Sequence, residues 1–380
     1  MIYFDNAATS GIKPKPVIEA VQNCLNRLSA NPGRSGHNLS LEADKLIYNC
    51  RAKIADFFGA DGPENVIFMP NCTTALNTVI KGVTAYNDHV VCSSLEHNSV
   101  ARPIETLRKR GLIDYDIAEV IFGDNDATVR SFKKAIRRDT KLVVCTHASN
   151  VTGTVLPIEE IGKECKKKNI LFCVDAAQSA GVLPINMKEM NIDYLCLAPH
   201  KGLFAPMGTG ILIARKPINN TIIEGGTGSK SMLTIQPTEI PEGFESGTVN
   251  LPGIAGISAG IDFVKAKGVE NIYHHEMQLT KEIYERLIKI DLLQFYATPP
   301  TKNLTVPVIS VNVRHKTSSE VADILNRNNI AVRSGLHCAP MAHKRLGTLE
   351  NGTVRIAPSI FNTKEDINRL IWVFSRVNNY

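Results

Sequence analysis

Three side chains stand out from their surroundings as candidates for chemistry: Asp175, Lys201 and Cys338. Asp175 ends the apolar run ILFCVD (170–175) and is followed by AAQ. A carboxylate on so apolar a strand is costly unless a cation or strong donors meet it. Lys201 follows YLCLA (194–198), among Gly, Pro and apolar residues. Such surroundings depress a lysine's pKa and permit Schiff-base chemistry. Cys338 lies in SGLHCAP (334–340), directly after His337, in a stretch with the composition of a loop. A thiol placed there suits a nucleophile better than a packing residue. Each has a plainer alternative: a helix N-cap for Asp175, a surface lysine in a turn for Lys201, an incidental thiol for Cys338.

Asp175 and Lys201 together suggest pyridoxal phosphate (PLP). That cofactor needs a lysine for its aldehyde and an acid for its pyridine nitrogen. It also needs a cup for its phosphate. NCTTALNTV (71–79) puts Thr73 and Thr74 at an expected helix start, where free backbone N–H groups face outward; simple capping would use the same geometry. His97, just past HVVCSS (89–94), could stack on a planar ring or stand in solvent. EGGTGSKS (224–231) lacks the spacing of a phosphate loop, and MGTGIL lacks a third glycine.

These residues need elements to position them. From about residue 60 to 215, short apolar runs alternate with amphipathic stretches: NVIFM (65–69), HVVCSS, KLVVCTH (141–147), ILFCVDA, YLCLA and GILIA (210–214). The alternation predicts an α/β domain with a mainly parallel sheet, whose carboxyl strand ends gather ligands. Residues 216–250, rich in Gly, Thr and Pro, read as ordered loop. A helical region over 253–290 leads to VPVISVNV (306–313), a helix near 318–328, IAVRSG (330–335), TVRIAPS (353–359) and a last helix near 363–377. This tail predicts a small α+β domain. The expected division is 1–20 joining the small domain, 21–255 as the large cofactor-binding domain, and 256–380 as linking helix and small domain.

In order from residue 3 to about 375, the motifs YFDNAAT, LEHNS, THASNVTG, VDAAQ, HKG, ESGTVN, RSGLHCAP and VRIAPS resemble the class V aminotransferase family. Within it they are most similar to cysteine desulfurases and selenocysteine lyases with a short loop around the active cysteine. The resemblance implies the aspartate aminotransferase-like fold of type I PLP enzymes. It implies that Lys201 holds PLP, Asp175 pairs with the pyridine nitrogen and His97 stacks on the ring. Gln178 and Asn150 would contact the ring hydroxyl or the substrate side. Thr73, Thr74 and His200 would bind the phosphate, and Thr248 would reach the phosphate of the neighbouring subunit in a homodimer. Arg355 would clamp the substrate carboxylate, with His37 and Arg333 nearby. The pattern departs at Ala198-Pro199, where the family usually carries Ser-Gly, at Ala75, where a glutamate is common, and at Asn98, where a second histidine is common.

The implied reaction converts L-cysteine to alanine, with Lys201 as general base and Cys338 taking the sulfur as a persulfide. His337 and Arg333 are both candidates to favour the thiolate, and Gly335 would free the loop to approach the ring. Selenocysteine lyase, or a transaminase or epimerase of the same family that does not use Cys338, is the alternative. A non-enzymatic metal-binding protein using His337, Cys338 and His343 is a remote one, since three ligands in seven residues make a poor zinc pattern. A sulfur-acceptor protein is an expected partner; iron–sulfur assembly, tRNA thiolation, selenium metabolism and sulfide release all remain open as destinations.

Composition narrows the class. The 43% hydrophobic and 21% charged content is that of a globular protein. No apolar run of about 18 residues predicts a membrane span, and MIYFDNAATSG does not read as a signal peptide, so a cytoplasmic enzyme is expected. The net charge of +6 is spread out, without an aromatic-studded basic patch for nucleic acid. Nine cysteines with no C-x-x-C argue against a disulfide framework or an ordinary zinc site.

Overall fold

A computed structural model describes residues 1–33 and 36–379. In chain order the strands are β1 (Ile2–Tyr3), β2 (Val66–Met69), β3 (Asp88–Ser93), β4 (Ile113–Ala118), β5 (Thr140–Thr146), β6 (Leu171–Asp175), β7 (Tyr194–Leu197), β8 (Gly210–Ala214), β9 (Leu293–Phe295), β10 (Ile309–Val313), β11 (Ile330–Ala331), β12 (Arg333–Gly335) and β13 (Thr353–Ile356). The helices are α1 (Lys15–Arg27), α2 (Asn38–Phe58), α3 (Cys72–Val83), α4 (Asn98–Lys109), α5 (Asn125–Ala135), α6 (Ile158–Lys167), α7 (Leu251–Lys267), α8 (Val269–Leu287), α9 (Ser318–Arg327), α10 (Pro340–Leu346) and α11 (Lys364–Phe374).

Seven strands form one sheet in the order β2-β8-β7-β6-β5-β3-β4, in which β8 alone runs against the rest. The central stretches of its inner strands are apolar because both faces are covered. Alternate residues serve opposite sides. Val143, Cys145, Phe172, Val174 and Leu195 pack under α2, α5, α6 and α7. Their neighbours Leu142, Val144, Cys173, Tyr194 and Cys196 pack under α3 and α4. The strand cysteines are therefore core residues, as their setting predicts. Gly210 opens β8 where a Cβ would lie 2.3 Å from the Asn71 carbonyl carbon, so the start of α3 can rest on the sheet.

The second body is the antiparallel sheet β12-β13-β10-β9, packed with α8, α9 and α11 around its own core. The chain start is sewn into it: β1 pairs in parallel with β11, and Asp5 bridges to Ala357. Helix α1 instead packs on α7.

Three local expectations need correction. The helical region over 253–290 is two helices, broken at Gly268, whose φ of 81° ends α7. IAVRSG is divided between two sheets, as β11 and β12. Strand β4, IDYDIA, was not expected, because its acids break the apolar signal; at the sheet edge Asp114 and Asp116 are exposed enough to pair with Arg137 at 2.8 and 2.7 Å. Among the described residues, no helix is long and apolar enough to cross a membrane.

Candidate active site

The carboxyl ends of β3, β5, β6 and β7 meet the start of α3 around a cavity of about 210 Å³. Its walls include Thr73, His97, Asn150, Asp175, Gln178, His200 and Lys201, so most of the expected site residues are brought together. Asp175, the last residue of β6, is 4% exposed. Its Oδ1 accepts from the Ala177 N–H at 2.9 Å and lies 3.7 Å from the Cys72 thiol. Lys201 is reached by a turn beyond β7, and among the described residues no ion pair or hydrogen bond holds its Nζ. Burial pushes its pKa down, opposed by Asp175 and reinforced by Arg355. A larger share of the amine is therefore neutral than in a free lysine.

His97 caps α4. Its Nδ1 accepts from the Ser99 N–H at 3.1 Å and from the Ser99 hydroxyl at 2.7 Å, which leaves the proton of the neutral ring on Nε2. Burial lowers its pKa, keeping the ring neutral. The amide of Gln178 donates to Ala7 O at 2.9 Å. His200 is pushed down to about 4 by burial, then by Lys201 and Lys13, and its buried Nδ1 has no partner among the described residues.

Three expected members, Thr74, Thr248 and His37, do not line this cavity. Thr74 is turned onto the capping Asn71, its hydroxyl 3.1 Å from Oδ1, and lines a neighbouring cavity of about 260 Å³ together with the exposed Thr248. The segment bearing Thr248 is anchored by Glu245, which binds Arg51 at 2.6 Å and the Phe68 N–H at 2.6 Å. His37 is exposed and does not line the 210 Å³ cavity; its Nδ1 caps α2 by accepting from Ser40 N. Arg34 and Ser35, just before it, lie outside the described residues.

Arg355, on β13, is 1% exposed. It donates to Asn150 O at 3.1 Å and to Asp5 Oδ1 at 2.8 Å, and its Nε has no partner among the described residues. Three of its five N–H donors remain for a ligand. Asp5 and Cys72 are site neighbours that sequence reasoning missed. Asp5 follows an apolar run as Asp175 does, which was a usable signal; Cys72, at a helix start, gave none.

Cys338 is exposed, in a four-residue turn closed by Ala339 N to Leu336 O at 2.9 Å. Both central residues are left-handed, with φ of 47° for His337 and 58° for Cys338. Non-glycine residues there cost about 1–2 kcal/mol each. Two further bonds offset this: Asn98 N donates to Cys338 O at 2.7 Å, and Asn150 Nδ2 donates to His337 O at 2.6 Å. Two expectations fail here. Gly335 is not a free hinge but part of β12, paired with Thr353. His337 is not beside the thiol: it is 3% exposed, and its Nε2 bonds to Thr353 O at 3.0 Å. Burial first, then Arg355, pushes its pKa down to about 2. The reversal follows from the left-handed turn, which sends neighbouring side chains in different directions. Arg333 takes the expected place, with a guanidinium nitrogen 3.8 Å from Cys338 Sγ. His343 is also buried, bonded to Thr348, and among the described residues no group of three or more His, Cys, Asp or Glu could hold a metal.

Comparison with known proteins accords with this arrangement. A probable cysteine desulfurase of Pyrococcus abyssi (strain GE5 / Orsay) is 35% identical over 388 positions, spanning 99% of this chain and 94% of that protein. A cysteine desulfurase of Haloferax volcanii is 28% identical over 381 positions, spanning 98% and 88%. The apo structure of a cysteine desulfurase from Thermococcus onnurineus NA1 superposes with a TM-score of 0.91 at 34% identity, covering 99% of this chain and 94% of that one. The aminotransferase class-V model matches residues 2–370, and the chain belongs to that family.

Proposed function

We propose that the protein is a PLP-dependent cysteine desulfurase that converts L-cysteine to L-alanine and receives the sulfur on Cys338. The observation that carries this is the placement of Lys201 and Asp175 on one cavity, tied through Asn150 to the turn that exposes Cys338. The residues present fit the cofactor. A buried, unpartnered His200 Nδ1 and the Thr73 helix start offer donors for a phosphate, Asp175 an acceptor for a pyridinium, and Lys201 a partly neutral amine. When bound, PLP supplies an electron sink for charge developing at the substrate Cα.

The rest of the chemistry falls to the chain. Lys201 Nζ, a partly neutral amine on the cavity wall, would remove the proton from the substrate Cα as general base. His97, its ring held by two bonds to Ser99, forms a flat neutral wall. Gln178 keeps one amide N–H beyond its bond to Ala7 for the ring hydroxyl. Arg355 binds the substrate carboxylate with the donors that Asp5 and Asn150 leave over. Cys338 Sγ would attack the substrate sulfur, the S–S bond forming as the Cβ–S bond breaks and leaves its electron pair on the carbon skeleton that is protonated to alanine, and Arg333 sets a positive charge beside the thiol. A homodimer, with Thr248 reaching the partner's phosphate site, and a separate sulfur acceptor complete the reading; its exposed position at Thr248 supports the first.

Alanine release from L-cysteine under dithiothreitol tests this. Lys201→Ala should lose both the visible absorbance and turnover, and Cys338→Ala should keep the absorbance and lose turnover. Unchanged turnover in Cys338→Ala would reject the persulfide route. A marked preference for L-selenocysteine independent of Cys338 would favour the lyase alternative.

A further inference from the structure

A groove begins at the turn that bears the reactive thiol. Asn98, which holds the Cys338 carbonyl, and Pro340, two residues beyond the thiol, both line it. The groove encloses about 920 Å³ and follows α4 from Asn98 to Lys109, a distance of about 16 Å at the helical rise. An extended chain of about five residues would span it. Its floor includes Tyr115, Met341 and Ile117, the last 41% exposed.

The groove's charge is unbalanced. Arg102 and Lys109 rise from α4, and Lys344 and Arg345 from α10. Against them stand Glu105 and Glu119. Glu105 is already engaged by Arg108, through bonds of 2.9 and 2.8 Å, so its 3.9 Å contact with Lys109 neutralises little. Glu119 pairs with Arg345 at 3.6 Å. Among the described residues, Arg102 and Lys344 have no ion-pair partner.

We infer that this groove docks an acidic, extended segment of the thiol-bearing protein that takes sulfur from Cys338. The inference rests on the desulfurase reading above and adds where the acceptor lies and what charge it carries. Its thiolate attacks the outer sulfur of the Cys338 persulfide. The S–S bond breaks, its electron pair returns to Cys338 Sγ beside Arg333, and the acceptor leaves as a persulfide. No oxidant or reductant is consumed. The apolar floor and the two carboxylates suit a peptide with side chains better than a continuous phosphodiester backbone. A second copy of this chain is a poor occupant: its exposed apolar stretch around Met232 and Ile235 carries no acid between Glu224 and Glu239.

The test uses the holoenzyme preloaded with L-cysteine. Two synthetic cysteine peptides of equal length, one with a short glutamate run and one with lysines, are offered as acceptors, and peptide persulfide is followed by mass spectrometry. The glutamate peptide should react about tenfold faster at low salt, with the advantage fading as salt rises. Arg102→Glu with Lys344→Glu should abolish the preference while alanine release under dithiothreitol stays unchanged. Equal rates for the two peptides, or an unchanged preference in the double variant, would overturn the groove assignment alone. Displacement of the peptide by a short unstructured RNA at equal charge would overturn the choice of a protein partner. Absence of alanine from the wild type under dithiothreitol would instead remove the desulfurase reading, and this inference with it.

Discussion

Asn150 and His337 are 187 residues apart in the chain, yet the Asn150 amide donates to the His337 carbonyl at 2.6 Å. Through that bond a residue of the cofactor cavity holds the nucleophile's turn. Asn150→Ala keeps the backbone carbonyl that Arg355 uses and removes the side chain that makes this clasp and lines the cavity. Amide exchange over 336–339 should quicken in the apo protein, and cysteine turnover should fall about tenfold or more, since a loosened site loses alignment. Unaltered exchange would mean that Asn98 alone secures the turn.

Arg333 and His337 should respond in opposite ways. Arg333→Ala removes the charge near Cys338 Sγ and should cut turnover with stability within about 0.5 kcal/mol of wild type. His337→Ala removes a buried donor from Thr353 O and should cost about 1–3 kcal/mol in urea unfolding. Because His337 is held neutral down to a pKa of about 2, its titration should contribute nothing to a pH–rate profile above pH 4. Equal stability losses in the two variants would contradict the inward placement of His337.

Asp5 is the only carboxylate bonded to Arg355 among the described residues. Asp5→Ala leaves a guanidinium that is 1% exposed without its counter-charge. Breaking such a pair costs about 3–5 kcal/mol. Asp5→Asn, which keeps an oxygen acceptor, should cost less and should raise KM for L-cysteine more than it lowers kcat. Binding titration of a cysteine analogue, beside thermal melting, separates the two effects.

Glu276, on α8, is buried, with Oε1 accepting from Ile360 N at 3.0 Å. Burial pushes its pKa up to about 8, against an ordinary glutamate value of 4.5. Between those values the native state holds the proton that the unfolded chain gives up. Stability due to this group is thus greatest at the acid end and declines as pH rises towards 8, by up to about 1.4 kcal/mol per unit. Glu96, also raised to about 8 by burial, adds a similar decline. Glu276→Gln, which retains the acceptor, should flatten the fall in unfolding free energy between pH 5 and 8. An identical slope in wild type and variant would show that Glu276 is ionised in the native protein.

What could be read in advance followed from simple rules. Parallel strands buried on both faces spell uniform apolar runs, so β5, β6 and β7 were visible, and the polar residues at or beyond their carboxyl ends, Asn150, Asp175 and Lys201, fell on one cavity. Strand β4 was hidden because an edge strand tolerates Asp114 and Asp116. The orientation of His337 was hidden because it depends on two left-handed backbone angles that no residue type announced. The place of Asp5 beside Arg355 was hidden because it depends on packing between segments 350 residues apart.

That separation has a consequence for biosynthesis. Asp5 leaves the ribosome long before Arg355, and β1 waits for β11 in the same way. During translation the early carboxylate and the first strand are left without partners, so the carboxylate clamp closes only after emergence of the last sheet. A chain made as far as β8 already carries every residue that lines the cofactor cleft, yet it remains unable to grip an amino acid until the two ends of the molecule have met.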